Sequence, residues 1–372
     1  MSIWHRIRYI FSRVLLILLG LCLGLAAGEL VLRLVPVKNR FAMARSTEGL
    51  FESDAELLLR LRSDLEKRIY GHPEFGFTVR TNGKGLRDDP LTGSCDIAAI
   101  GDSFTFGFGV EGEDSWPEQL EEIGDVCVAN LGWMGWNSLV YPDTIRRYAV
   151  PLQARIWVWA FFGNDLPESA AAEEYFASGE TDYEQWVLGG RLPLNDPPFP
   201  LNLRTVQLLA SLFDPELVLL PGSGDRIFDD GELRMRCGTY PWETTDPEQP
   251  EVQRGWELTE AALVEASSLS EVHDARLVVL FVPNREHVYW DRIAGLMEDV
   301  DIEQLDEVEA RLETICEAHR IDYLNLLPGF RSSASSGQML YFPQDGHWNE
   351  EGHALAATLV YEFLQEQGLL DD

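Results

Sequence analysis

The sequence is short of positive charge. It has three lysines and 29 basic residues in all, against 62 Asp and Glu, which leaves a net charge of −33 over 372 residues. A surface of that sign repels phosphate backbones and anionic headgroups, and it argues against nucleic acid as a partner. Cysteine is also scarce. The five cysteines, Cys22, Cys95, Cys127, Cys237 and Cys316, are too few for a disulfide framework in a chain this long, and their spacing matches no zinc motif. Buried small hydrophobes are the simpler expectation for them. Internal repeats and low-complexity tracts are lacking too. Disorder is excluded by what is present, because 45% hydrophobic and 11% aromatic residues suffice for a sizeable core. The length suits two average domains or one large α/β domain carrying an insertion.

At the N-terminus, Arg6, Arg8 and Arg13 precede an uncharged run at 14–28 built of Leu, Ile, Val, Gly and Ala. This pattern predicts a membrane-targeting helix within residues 1–37. Its apolar character resumes past Glu29 as far as Val35, so an uncleaved anchor is favoured over a signal peptide cut near Ala26-Ala27-Gly28. In either case the basic flank stays in the cytoplasm and the bulk of the chain is exported. Residues 38–93 read as a stalk and lead-in, with a helical, charged stretch around 55–69.

From residue 94 to 370 the pattern is regular. Strand-length apolar runs at 97–100, 126–131, 156–162, 277–282 and 323–326 alternate with helical stretches, and that alternation implies a three-layer α/β/α domain around a parallel sheet. Ser115-Trp116-Pro117-Glu118 has the form of a capping box, Gly124 is placed to stop its helix, and Asn349 is placed to cap the last one. About 166–253 breaks the rhythm. It carries Pro193, Pro197, Pro198 and Pro200 and is too long for a βα connection, so it reads as an insertion with an amphipathic helix near Leu203, Val206, Leu209 and Phe213.

In doubly wound sheets the residues just after each strand face the ligand. The first strand ends in Gly101-Asp102-Ser103-Phe104, the second in Asn130-Leu131-Gly132-Trp133-Met134-Gly135, and the third in Phe162-Gly163-Asn164-Asp165. Near the C-terminus, Asp345-Gly346-His347 stands directly before the capped helix. A serine at a sharp turn, amide donors after neighbouring strands and a histidine beside an acid are the groups that acyl transfer requires. In this order the four blocks resemble the SGNH hydrolases, also called GDSL esterases, over roughly residues 82–364 outside the insertion.

The resemblance implies a flavodoxin-like fold and a Ser103–His347–Asp345 triad. It implies an oxyanion hole made by the N–H groups of Ser103 and Gly135 with the Asn164 side chain, and no cofactor or metal. Gly132 is the alternative to Gly135. Phe104 stands where the family name has leucine, and its side chain is expected to pack inward. Asp345 and His347 are two residues apart where the best-known members have three, a closer spacing that related polysaccharide O-acetylation proteins share.

Other polar residues have blander readings. Asp165 suits a loop-stabilising carboxylate and His353 a helix face, while His287, after the fourth strand, suits a structural position ahead of a place in the pocket lining. Trp133 and Trp136 suit either a substrate platform or the core. The expectation is a membrane-anchored serine esterase acting outside the cytoplasm on acetyl or short-chain acyl esters. O-acyl transfer or deacetylation on an envelope polysaccharide is the alternative, and a non-catalytic envelope-assembly protein of the same fold is a third reading. The negative charge favours a neutral glycan unless a basic patch exists, for example around Arg285 and Arg292.

Overall fold

A computed structural model of the chain describes residues 3–33, 46–47, 49–70, 72, 74–91, 93–183, 186, 205 and 225–370. The chain divides into two compact units. One takes in residues 1–46, 70–73 and 193–221, and the other 47–69, 74–192 and 222–372. In the first, the helix Ile3–Arg33 contains a segment, Phe11–Leu32, long and apolar enough to cross a membrane. Leu15, Leu19 and Leu23 point outward, as an apolar helix requires when no protein core covers them.

The second unit opens with two antiparallel hairpins. Strand β1 (Phe51–Asp54) pairs with β2 (Leu58–Leu61), and β3 (Glu66–Ile69) with β4 (Phe77–Arg80). The helix expected around 55–69 is therefore absent. Asp54 Oδ1 accepts the N–H groups of Glu56 and Leu57 at 3.0 and 3.1 Å, turning the chain back, and Leu58 takes a left-handed φ of 68° to start the return strand. Burial of Leu57, Leu58 and Leu61 then outweighs a charge pattern that resembled a helix face. These hairpins belong to the same compact unit as the sheet.

Five parallel strands form that sheet: β5 (Ile97–Gly101), β6 (Val128–Gly132), β7 (Ile156–Phe161), β10 (Arg276–Phe281) and β11 (Asp322–Asn325), in the order β11-β10-β7-β5-β6. Every residue of β5, β6 and β7 is buried, the mark of strands covered on both faces. Helix Trp116–Gly124 packs with Glu350–Glu366 in one group, while Asp165–Ser178 packs with Pro250–Val272 in another, the latter also meeting Ile302–His319. Right-handed crossovers that reverse direction after β6 put the two groups on opposite faces.

Local details differ from expectation. Ser115 precedes its helix, but its hydroxyl is buried and forms no cap. Pro117 in the first turn starts the helix instead. Gly124 is its last residue, and Asp125 makes the left-handed turn at φ 50°. Asn349 caps as expected, its side chain accepting from Gly352 N–H. Cys95 and Cys127 are joined in a disulfide, whereas Cys237 and Cys316 are buried thiols. Scarcity had argued against a framework, yet the starts of β5 and β6 lie side by side and bring one pair together.

The break in the αβ alternation is narrower than 166–253, because Asp165–Ser178 follows β7 directly and Pro250–Val272 leads into β10. Between them the described residues include the hairpin β8 (Arg226–Asp229) and β9 (Arg234–Cys237) and the helix Tyr240–Thr245. The proline-rich segment and the side chains of the expected amphipathic helix lie outside the described residues.

Candidate active site

The strand order, taken in chain sequence, is 2-1-3-4-5, and its direction reverses between β5 and β7. Ligands of doubly wound sheets bind at that switch point, outside the carboxyl ends of the strands. Ser103 follows β5 and Asn164 follows β7. Both line a cavity of about 320 Å³, together with Asp345 and His347.

Ser103 is fixed by close backbone packing. Asp102 caps the short helix Ser103–Phe106 by accepting the Phe104 N–H at 2.9 Å. A Cβ on Gly101 would strike the Thr105 side chain, and one on Gly132 would strike the backbone of Thr105 and Phe106, so these two glycines let β5, β6 and the turn meet. Phe104 points inward, 2% exposed, against Phe162 and Trp348.

The other half of the site comes from the loop before the last helix. His347 Nε2 lies 2.8 Å from Ser103 Oγ, and His347 Nδ1 lies 2.5 Å from Asp345 Oδ1. That carboxylate oxygen also accepts the His347 N–H at 2.9 Å, which is how two-residue spacing lets an acid and a histidine meet. Burial pulls the His347 pKa down, but the Asp345 charge and hydrogen bond and the Asp102 charge outweigh it and hold it above the ordinary 6.5. Burial pushes Asp102 up to about 6, against the Phe104 N–H and His347 that favour its charge.

The residues expected as hole donors are placed differently from one another. Asn164 Nδ2 donates to Glu168 Oε1 at 3.1 Å from the cavity wall. Gly135 lies outside this cavity, exposed at φ +85° in the loop after β6, and its N–H donates to no group among the described residues. Gly132 N–H is already engaged by Asn130 Oδ1 at 2.9 Å, so Gly132 is the poorer donor.

The remaining polar residues have structural surroundings. Asp165 is buried and accepts from Ser138 and Tyr141 hydroxyls at 3.2 Å. His353 is pushed down to about 3 by burial, then by Arg87 and His347, and its neutral Nδ1 accepts the Trp116 N–H at 3.3 Å. His287 is buried with Nε2 2.8 Å from Asp306. Trp133 and Trp136 stack 4.8 Å apart in the core and offer no substrate platform. The basic patch suggested around Arg285 and Arg292 is absent. Arg285 is buried against Glu286 at 3.0 Å, and Arg292 pairs with Asp230 and Glu232. Among the described residues no His, Cys, Asp and Glu group could hold a metal.

One wall of the cavity was invisible to sequence reasoning. It comes from the β8–β9 hairpin and the helix after it, through Asp225, Arg236, Gly238 and Tyr240. Arg236 Nε and Asp225 Oδ2 are 3.5 Å apart, so this wall brings a paired charge. No short motif marks such a hairpin.

Residues 242–372 match the family model described as the SGNH hydrolase-like domain of the acetyltransferase AlgX. The fold is SGNH-hydrolase-like. That match includes Asp345 and His347 and leaves out Ser103, Gly135 and Asn164. No curated protein matches the chain in sequence. Among solved structures, a GDSL-like lipase from Bacteroides thetaiotaomicron has 12% identity, covering 73% of this chain and 88% of its own, with a TM-score of 0.37. An acetylxylan esterase from Geobacillus stearothermophilus has 12% identity, 74% and 96% coverage and a TM-score of 0.38. The sheet order and the family match, rather than these distant structures, identify the fold.

Proposed function

We propose that the protein is a serine acyl-ester hydrolase whose nucleophile is Ser103. The observation that carries this reading is the unbroken hydrogen-bonded line from Ser103 Oγ through His347 to Asp345 at the switch point of the sheet. In the proposed cycle His347 Nε2 takes the Ser103 proton as Oγ bonds to the ester carbonyl carbon, while Asp345 stabilises the imidazolium. The Ser103 N–H and the Asn164 amide serve as oxyanion donors, at ~3 kcal/mol each in the transition state, and Gly135, outside the cavity, is the weaker candidate for a third. Collapse expels the alcohol, which takes the proton from His347. Water, deprotonated by the same histidine, then releases the acid.

The family match favours a second reading. Its description as an acetyltransferase points to an acceptor hydroxyl in place of water, with the same acyl-enzyme. The acidic composition, with Arg285 and Arg292 both paired to carboxylates, favours a neutral glycan for that role. Action outside the cytoplasm is proposed from the apolar N-terminal helix with its arginine flank, and the Cys95–Cys127 disulfide suits an oxidising compartment. Incubating the detergent-solubilised chain with a chromogenic acetyl ester and neutral oligosaccharides tests both readings. Free acetate as the main product supports hydrolysis, acetylated sugar replaces it with transfer, and no turnover of any acyl ester contradicts both.

A further inference from the structure

The loop that carries Asp345 and His347 is not part of the sheet, and its shape depends on groups that reach it from elsewhere. On one side stands Arg285, just after β10. Its Nη1 donates to the carbonyls of Phe342 and Asp345 at 3.1 and 2.8 Å. On the other side stands Glu74, from the lead-in just before β4. Its Oε2 accepts the N–H groups of Gln344 and Asp345 at 2.9 and 3.1 Å, and its Oε1 accepts Gln344 N–H at 3.0 Å. A carboxylate over two successive N–H groups fixes the orientation of both peptides. Those peptides aim Asp345 at His347.

We propose that Glu74 is a positioning residue for the acid and base of this site, which makes the lead-in part of the active-site architecture instead of a spacer. The proposal rests on the reading of His347 as the base. It follows from the closer spacing of Asp345 and His347, since one carboxylate oxygen must serve both the backbone N–H and Nδ1 of His347, and a small rotation of the Asp345 peptide would break that double contact. Asp345 from its own loop, Asp102 from the end of β5 and Arg285 from the segment after β10 are the charged groups that set the His347 titration. Glu74 would act on it through Asp345.

The test compares Glu74→Ala and Glu74→Gln in the full chain in detergent, with an acetyl ester as substrate and the His347 titration followed by NMR. Gln can leave its oxygen at the position of Oε2 and keep the N–H contacts of both peptides there, while losing the charge and the Oε1 contact to Gln344 N–H. The expected result is a kcat ~10–100-fold lower for Glu74→Ala at nearly unchanged KM, a His347 pKa that falls toward the ordinary value, and kcat within a few-fold of the parent for Glu74→Gln. Unchanged kcat and His347 titration in Glu74→Ala would overturn the proposal, even if stability drops. Equal losses in both variants would overturn it too, because the two N–H contacts at Oε2 would then not be what holds the loop. The NMR titration reads the loop whether or not the parent turns over, so an inactive parent contradicts the proposed function, and an unmoved His347 contradicts the role of Glu74.

Discussion

The two sides of the site are built in different ways. Ser103 is held locally: β5 ends, Asp102 caps the turn two residues on, and glycines at 101 and 132 allow the close approach of two strands and a helix. His347 is held from a distance, in a loop tied by Arg285, 60 residues from Asp345, and by Glu74, 271 residues from it. A local device leaves a signature in a few adjacent letters. A distant one leaves none. Gly-Asp-Ser and Asp-Gly-His could therefore be read from the chain, while the two groups that shape the second motif's loop could not.

The same contrast separates the rest of the molecule. The five sheet strands were legible because buried parallel strands are continuous apolar runs, and each begins and ends within two residues of its run. Strands β2 and β3 fall in the stretch around 55–69 that reads as helical, because strands of four residues carry too few side chains to display their period. Asp165, His287 and His353 have the structural surroundings their sequence contexts suggested. The hairpin wall with Arg236 and Asp225 depends on packing between segments and had no sequence signal.

If the base side is as essential as the nucleophile side, His347→Ala should lower kcat by roughly 10⁴- to 10⁶-fold without unfolding the chain. Circular dichroism and single-turnover kinetics check this, and a loss under tenfold would reduce His347 to a neighbour. On the nucleophile side, Asn164→Ala should reduce kcat by ~10²–10³ with a smaller change in KM. Raised KM at constant kcat would make it a ground-state contact.

Arg285→Met addresses the distant anchoring. It would leave Glu286 buried without its cation, at ~3–5 kcal/mol of folding stability, read as a lowered urea midpoint. The locally held Ser103 should tolerate Ser103→Ala within about 0.5 kcal/mol, and comparable losses for both would erase the contrast. The smallest effect concerns pH. The base must be neutral to accept the Ser103 proton, so kcat/KM should fall as pH drops through the raised His347 pKa. The midpoint of the acid limb should lie above 6.5, and a midpoint below that value would mean that Asp345 does not support His347.

The most direct measurement of the account is the site of covalent labelling by a fluorophosphonate on the full chain, mapped by mass spectrometry. A single adduct on Ser103 is expected, one that disappears in Ser103→Ala and forms far more slowly in His347→Ala. An adduct on a different residue, or none at all under conditions where the folded parent turns over an acyl ester, would contradict it.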